Sequence, residues 1–215
     1  MVERVKETEQ RRRQPVYRLM KRAFDILASI VAMLILWPLV LVLILLIRID
    51  SMGSAFYIHE RIGKNGKKIG LYKFRTMYIP SDPKYRQLTP QEMERWYRNY
   101  KLEDDPRVTR VGNILRKTSL DELPQLLNIL MGDMSFVGPR PVVSGEIERY
   151  GACKNEFLSV TPGLTGYWQA YARNSVSYDE RIRMELYYVR NCSLWLDTKI
   201  LFKTVGTVIS QKGAA

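Results

Sequence analysis

Ile26-Leu27-Ala28-Ser29-Ile30-Val31-Ala32-Met33-Leu34-Ile35-Leu36-Trp37-Pro38-Leu39-Val40-Leu41-Val42-Leu43-Ile44-Leu45-Leu46-Ile47 is an apolar run of 22 residues in which Ser29 is the single polar side chain. As a helix it is long enough to cross a hydrocarbon core of roughly 30 Å. Pro38 stands near its middle, where the ring removes a backbone donor and clashes with the preceding turn. Both flanks are basic: Arg4, Lys6, Arg11, Arg12, Arg13, Arg18, Lys21 and Arg22 precede the run, and Arg48, Arg61, Lys64, Lys67 and Lys68 follow it. Basic flanks mark the cytoplasmic side of a membrane segment. They favour a re-entrant hairpin that enters, breaks at Trp37-Pro38 and returns to the same face, over the alternative of a straight span. The run is too long for a cleaved signal peptide, and no small-residue cleavage site follows it.

The rest of the chain is polar, since mean hydropathy is only −0.22 despite this segment. A net charge of +12 points to an anionic partner, either lipid headgroups or nucleotides. Nucleic acid fits less well, because no helix-turn-helix, zinc-finger or RNP pattern is present and the N-terminal charges abut a membrane segment. Cys153 and Cys192 lack metal-type spacing and read as free thiols. His59 is the single histidine and lies in an apolar-alternating stretch, as a packed or interfacial residue. Zinc chemistry and Ser/His or Cys/His catalysis therefore find little support.

Beyond the membrane segment, Ala55 to Arg61 and Ile69 to Thr76 read as the strands of a β-hairpin around Gly63-Lys64-Asn65-Gly66. Thr89-Pro90-Gln91-Glu92 is a capping-box start for a helix to about Tyr100. Its Met93, Trp96, Tyr97 and Tyr100 form one face, to be buried on the domain or laid on the bilayer. Val108 to Lys117 predicts a short helix, and Tyr178 to Val189 and Leu194 to Ile209 predict two closing helices. The basic N-terminus reads as disordered to about Gln14.

Arg116-Lys117-Thr118-Ser119-Leu120-Asp121-Glu122-Leu123-Pro124-Gln125 carries the candidate chemistry. Ser119 reads as an N-cap with Glu122 completing a capping box, and Leu123, Leu126, Leu127 and Leu130 run at helical spacing to Gly132. Asp121 would then sit in a first helical turn, where free N–H groups hold a carboxylate ionised and attract phosphate. An ionised Asp beside a docked phosphoryl group is a candidate nucleophile; Asp and Glu also simply favour first turns. Val137-Gly138-Pro139-Arg140-Pro141 is a rigid turn presenting one arginine between two prolines. Thr161 to Gln169 is a Gly/Pro-rich loop ending in aromatics and followed by Arg173-Asn174, suited to base stacking and phosphate binding or to a plain structural turn. Neither a P-loop nor GxGxxG occurs.

Together these stretches resemble the bacterial sugar transferase family, the monotopic phosphoglycosyl transferases. The resemblance runs from Lys21-Arg22-Ala23-Phe24-Asp25 through Glu60-Arg61-Ile62-Gly63, Lys73-Phe74-Arg75-Thr76-Met77 and the Arg116–Gln125 stretch. It continues through Gly132-Asp133-Met134-Ser135-Phe136-Val137-Gly138-Pro139-Arg140-Pro141 and Pro162-Gly163-Leu164-Thr165-Gly166. Glu60 stands where Gln is common, and Ser81 to Glu103 follows no family pattern.

The resemblance implies transfer of a sugar 1-phosphate from a UDP-sugar to undecaprenyl phosphate, with release of UMP. It makes Asp121 the nucleophile that forms a phosphosugar intermediate, and Asp121 with Glu122 the Mg²⁺ site. Arg116, Arg140 and Arg173, with Pro139 and Pro141, fall at phosphate- or nucleotide-binding positions. Lys21, Arg22, Asp25, Ser29 and Pro38 fall on the membrane and lipid-phosphate side. The implied fold is α+β and mostly helical: a basic segment over 1–15, a re-entrant membrane hairpin over 16–49, and a compact catalytic domain over 50–215 at the cytoplasmic face of the bacterial inner membrane. This is close to the family's minimal catalytic unit. A non-catalytic membrane anchor would need the apolar helix but not Asp121-Glu122 or the arginines; a nucleic-acid binder would need the charge but not the apolar run.

Overall fold

The computed structural model describes residues 15–99, 102, 104–172 and 176–209. The basic segment to Gln14, the Trp96, Tyr97 and Tyr100 side chains, and Arg173-Asn174 lie outside the described residues.

Helix α1 spans Pro15–Asp50, with Pro38 inside it. Helical conformation continues through Trp37 and Pro38, so a return to one face is a bend within one helix rather than a gap between two. Asp25, Ser29, Leu43 and Ile47 are buried on its inner face, while Leu19, Leu27, Leu34, Ile35, Trp37, Leu41 and Leu45 are exposed. The inner face touches the same body along its length. Near its start, Tyr17 and Lys21 donate to the Asp197 carboxylate at 3.0 and 2.7 Å. In the middle, Ala32, Met33 and Leu36 pack on Ile69, Leu71, Leu126 and Ile129. Toward its end, Val40, Leu43, Ile44 and Ile47 join Ala55, Phe74 and Leu115, and the Asp50 carboxylate accepts the Val111 N–H at 2.8 Å. Buried Arg75 then fixes the exit turn by donating to the carbonyls of Ser51 and Met52.

Strands β1 (Phe56–Ile62) and β2 (Lys68–Phe74) form the expected antiparallel hairpin, in register from Phe56↔Phe74 to Ile62↔Lys68. Its turn uses left-handed Asn65 and Gly66, with φ of 56° and 79°. Because side chains alternate, Tyr57, His59 and Arg61 share one face with Ile69, Leu71 and Lys73. Helix α2 (Pro90–Asn99) begins with the expected reciprocal cap: Thr89 N–H donates to Glu92 Oε2 at 2.8 Å and Glu92 N–H to Thr89 Oγ1 at 3.3 Å. Helix α3 (Arg110–Thr118) starts two residues later than predicted, because Thr109 is its N-cap and accepts the Gly112 N–H. Gly112 lets α3 lie against the Thr76 backbone, where an added Cβ would come within 2.1 Å of the Thr76 carbonyl oxygen.

The reading of Ser119 as a helix N-cap is corrected. Ser119 takes a left-handed conformation (φ 59°) that closes α3, and its side chain caps nothing. Leu120–Glu122 forms a 3-10 turn, and the next helix, α4 (Gln125–Met131), starts only after Pro124, which has no N–H to cap. Asp121 and Glu122 thus occupy a tight turn between helices rather than an α-helical first turn. Gly132 (φ 93°) ends α4 as expected.

The remaining elements are β3 (Ser135–Val137), α5 (Ser144–Ile147), a 3-10 stretch (Glu148–Cys153), α6 (Lys154–Phe157), β4 (Gly163–Thr165), α7 (Tyr167–Tyr171), α8 (Tyr178–Asn191) and α9 (Leu194–Ile209). The last two are the predicted closing helices. Strands β3 and β4 pair in parallel, joining two segments read from sequence as separate loops. Asp197 on α9 ties the body together, accepting from Tyr17 and Lys21 of α1 and from the Tyr188 hydroxyl of α8.

Candidate active site

The 3-10 turn delivers both carboxylates to the hairpin face that carries Lys73. Lys73 Nζ lies 2.7 Å from Glu122 Oε1 and 3.4 Å from Asp121 Oδ2, so both acids converge on one cation. Arg140 Nη1 stands 4.0 Å from the same Glu122 oxygen. A narrow cleft opens here, lined by Arg61, Lys73, Glu122, Gln125, Arg140 and Leu164.

The turn bearing Arg140 is pinned from below. Pro139 accepts the Gly163 N–H at 2.9 Å, and the Gly138 N–H donates to Thr165 at 2.9 Å. The approach is too close for any side chain: a Cβ on Gly163 would lie 2.0 Å from the Gly138 nitrogen. Pro141 forms part of the cleft wall. Arg116, one turn along α3 from Gly112, directs its Nε to Thr76 Oγ1 at 3.0 Å and draws the Asp121 pKa down.

The two acids differ in electrostatic state. Burial is the largest influence on Asp121 and raises its pKa above the usual carboxylate value, against the pull of Lys73; the Glu122 charge raises it further. Burial also opposes the Glu122 charge, but Lys73, Arg140 and a hydrogen bond with Gln125 outweigh it and hold that carboxyl below its ordinary range. The cations Lys73 and Arg116, not a helix terminus, favour the Asp121 carboxylate. His59, on the same sheet face, is pushed down to about 4 by burial and by Arg61, Lys73 and Arg140, so it is neutral at pH 7.

Arg61 and Lys73 line the cleft, although in the sequence Arg61 counts only as a membrane-flanking cation and both only as parts of family motifs. Their signal was the strand alternation that puts them on one face with His59. Arg61 is further held by Glu146, whose Oε2 lies 3.5 Å from Arg61 Nη1 and accepts the Val143 N–H at 3.1 Å. Arg181 approaches the other Glu146 oxygen at 3.7 Å.

The structure thus brings Asp121, Glu122, Arg116, Arg140, Pro139 and Pro141 into one region, while Arg173 lies outside the described residues. The N-terminal group sits apart. Arg22 donates to the carbonyls of Ile129 and Leu130 at 2.6 and 2.7 Å, closing α4. Asp25 accepts from the Ser135 hydroxyl and the Phe136 N–H at 3.1 and 3.0 Å, holding β3. Ser29 is fully buried where α1 meets the body, and Pro38 is in α1. For a cation, Asp121 and Glu122 offer adjacent carboxylates; among the described residues no group of three or more His, Cys, Asp or Glu side chains gathers.

Comparison with known proteins bears on this arrangement. The bacterial sugar transferase family model matches residues 16–211. The chain is 47% identical over 204 residues to the exopolysaccharide production protein ExoY of Rhizobium meliloti, covering 94% of this chain and 90% of that protein. It is 46% identical over 200 residues to the undecaprenyl-phosphate galactose phosphotransferase of Salmonella typhimurium, covering 92% of this chain and 42% of that one. The UDP-glucose:undecaprenyl-phosphate glucose-1-phosphate transferase of Escherichia coli is 36% identical over 207 residues, again with 42% of its length covered. The chain therefore spans less than half of the latter two relatives and nearly all of ExoY. A match of this extent is decisive, and the chain belongs to the bacterial sugar transferase family.

Proposed function

We propose that the chain is a membrane-bound phosphoglycosyl transferase that moves a sugar 1-phosphate from a UDP-sugar to undecaprenyl phosphate and releases UMP. One observation carries the reading: two adjacent carboxylates converge on Lys73, and the Glu122 carboxylate also faces Arg140, beside a cleft of a body that carries a long, outwardly apolar helix. The cations suit a diphosphate, and the helix suits a lipid acceptor that stays at headgroup level.

In the proposed chemistry an Asp121 oxygen attacks the β-phosphorus of UDP-sugar. The bond from that phosphorus to the bridging oxygen breaks, and UMP leaves with the electron pair. The acceptor's phosphate oxygen then attacks the phosphorus of the aspartyl phosphosugar and returns the Asp121 carboxylate. The covalent intermediate lets one interfacial site handle a soluble donor and a lipid acceptor in turn. Arg140 and Lys73 would hold the donor phosphates, Arg140 by its planar fork. Asp121 and Glu122 suit Mg²⁺, which needs only one or two carboxylates and takes its remaining ligands from phosphate and water. When bound, it would offset the diphosphate charge that repels an incoming carboxylate.

The continuous contact of α1 with one body supports a monotopic, re-entrant arrangement at the cytoplasmic face of the inner membrane. A straight helix of this length would extend about 54 Å, and residues within the bilayer core could not also pack along a body lying outside it.

The test is a single-turnover experiment with UDP-sugar and Mg²⁺ but no acceptor. Up to one equivalent of UMP should be released while mass spectrometry finds the sugar phosphate on Asp121. Asp121→Asn, nearly isosteric but not nucleophilic, should abolish both. Intersecting two-substrate kinetics without an adduct would instead favour direct transfer in a ternary complex.

A further inference from the structure

The first turns of α1 border a second cavity, of about 180 Å³, that among the described residues shares no lining residue with the active-site cleft. Its wall includes Arg18, Lys21, Arg22 and Lys64, together with Ser135, Thr161, Met134 and Val160. Lys21 is paired with Asp197, and Arg22 is held by the α4 carbonyls. Among the described residues the one carboxylate in the lining, Asp25, accepts from Ser135 and Phe136. Arg18 and Lys64 are exposed, and their side chains have no hydrogen-bond or ion-pair partner among the described residues. Among the described residues the cavity therefore presents two unpaired cationic side chains, Arg18 from α1 and Lys64 from the hairpin turn.

Its position narrows the ligand class. Leu19, Met20 and Phe24 of the same turns are exposed, and the apolar run of α1 begins at Ile26. A segment with apolar side chains outward and cations at the rim of a cavity of mixed polar and apolar lining belongs at the depth of lipid phosphates, where each nearby Lys or Arg strengthens attachment to an acidic membrane. We propose that this cavity binds the phosphate of one anionic bilayer phospholipid, with Arg18 and Lys64 as its ligands. The occupant fixes the entry point of α1 at the interface. The proposal rests on the membrane reading of α1 but not on the transfer reaction.

The test uses the full chain in nanodiscs of phosphatidylcholine containing a minor fraction of phosphatidylglycerol, with retained lipid read by native mass spectrometry after detergent extraction. The wild type should retain one phosphatidylglycerol in preference to phosphatidylcholine. The Arg18→Gln/Lys64→Gln double variant should weaken that retention by roughly thirtyfold, as loss of two interfacial cations implies. UMP release measured in detergent should not change in the variant, since neither side chain lines the active-site cleft. The charge-preserving Arg18→Lys/Lys64→Arg variant should retain the lipid, which separates charge from folding. Equal retention of both lipids, or unchanged retention by the Gln variant, would overturn the proposal. Displacement of phosphatidylglycerol by inorganic phosphate would overturn it in favour of a free-anion site, and preferential displacement by undecaprenyl phosphate in favour of an acceptor site. Selective retention by a protein that releases no UMP would leave this site standing while the proposed reaction fell.

Discussion

Lys73 contacts both carboxylates, so its charge should govern the pH at which they work. Asp121 must be ionised to attack, and activity is therefore lost as pH falls through its pKa, which burial places above the ordinary carboxylate value. Lys73 is the strongest influence pulling that pKa down. Lys73→Met should thus move the acid limb of kcat/KM to higher pH; an unmoved limb would exclude Asp121 as the titrating group. Two arginines should separate chemistry from packing. Arg140→Lys should lower kcat/KM roughly 10- to 100-fold with the melting temperature unchanged, because Lys cannot reproduce the guanidinium fork. Arg22→Ala should instead destabilise by about 1.5–3 kcal/mol through loss of two charge-assisted bonds to α4 carbonyls, with kcat preserved in the folded fraction. Calorimetry alongside a UMP assay reads both outcomes. Asp121, Glu122 and Arg140 were legible in sequence because they fall within short ordered motifs. The Lys73 contact was not, because its partners lie 48 and 49 positions away and only the hairpin register brings them together.

At the scale of elements, the structure rewards periodic segments and penalises short ones. The hairpin, the capped α2, and the α8 and α9 helices follow from alternation, capping and helical spacing that local sequence displays. Strands β3 and β4 pair only three residues each across a long separation, so their signal is confined to Gly138, Gly163 and Gly166, whose role is absence of bulk. The Ser119 misreading has the same origin: Ser-x-x-Glu before a leucine run is a capping box by pattern, yet left-handed Ser119 closes α3 instead. Glycine substitutions measure this directly. Gly163→Ala should destabilise by about 3 kcal/mol, because the Cβ would meet backbone that cannot retreat without breaking the pairing under Arg140. Gly206→Ala, in α9 with nothing within 4 Å of its added Cβ, should stabilise by about 0.5–1 kcal/mol. Denaturant midpoints for both variants check the contrast; equal and small effects would mean that the β3–β4 contact is softer than its geometry implies.

For the whole molecule, the decisive question is where the two ends of α1 lie. The charge on both sides of the apolar run and the packing of α1 at its start, middle and end against one body argue for a single face. In a background of Cys153→Ser/Cys192→Ser, single cysteines replacing Gln10 and Glu60 should both resist a membrane-impermeant maleimide in intact spheroplasts. Both should label after lysis. A cysteine replacing exposed Trp37, beside Pro38, should react only with a membrane-permeant reagent if this part of α1 is embedded. Labelling of Gln10→Cys from outside and Glu60→Cys only from inside would establish a straight span and break the monotopic reading. Pro38→Leu restores the missing backbone donor and removes the ring clash, so it should shift the population toward that opposite-face pattern. Were Pro38→Leu to leave the labelling unchanged while the wild type labels from one side, the body contacts of Ala32, Met33, Leu36 and Ile47, rather than the proline, would be what holds both ends at one face.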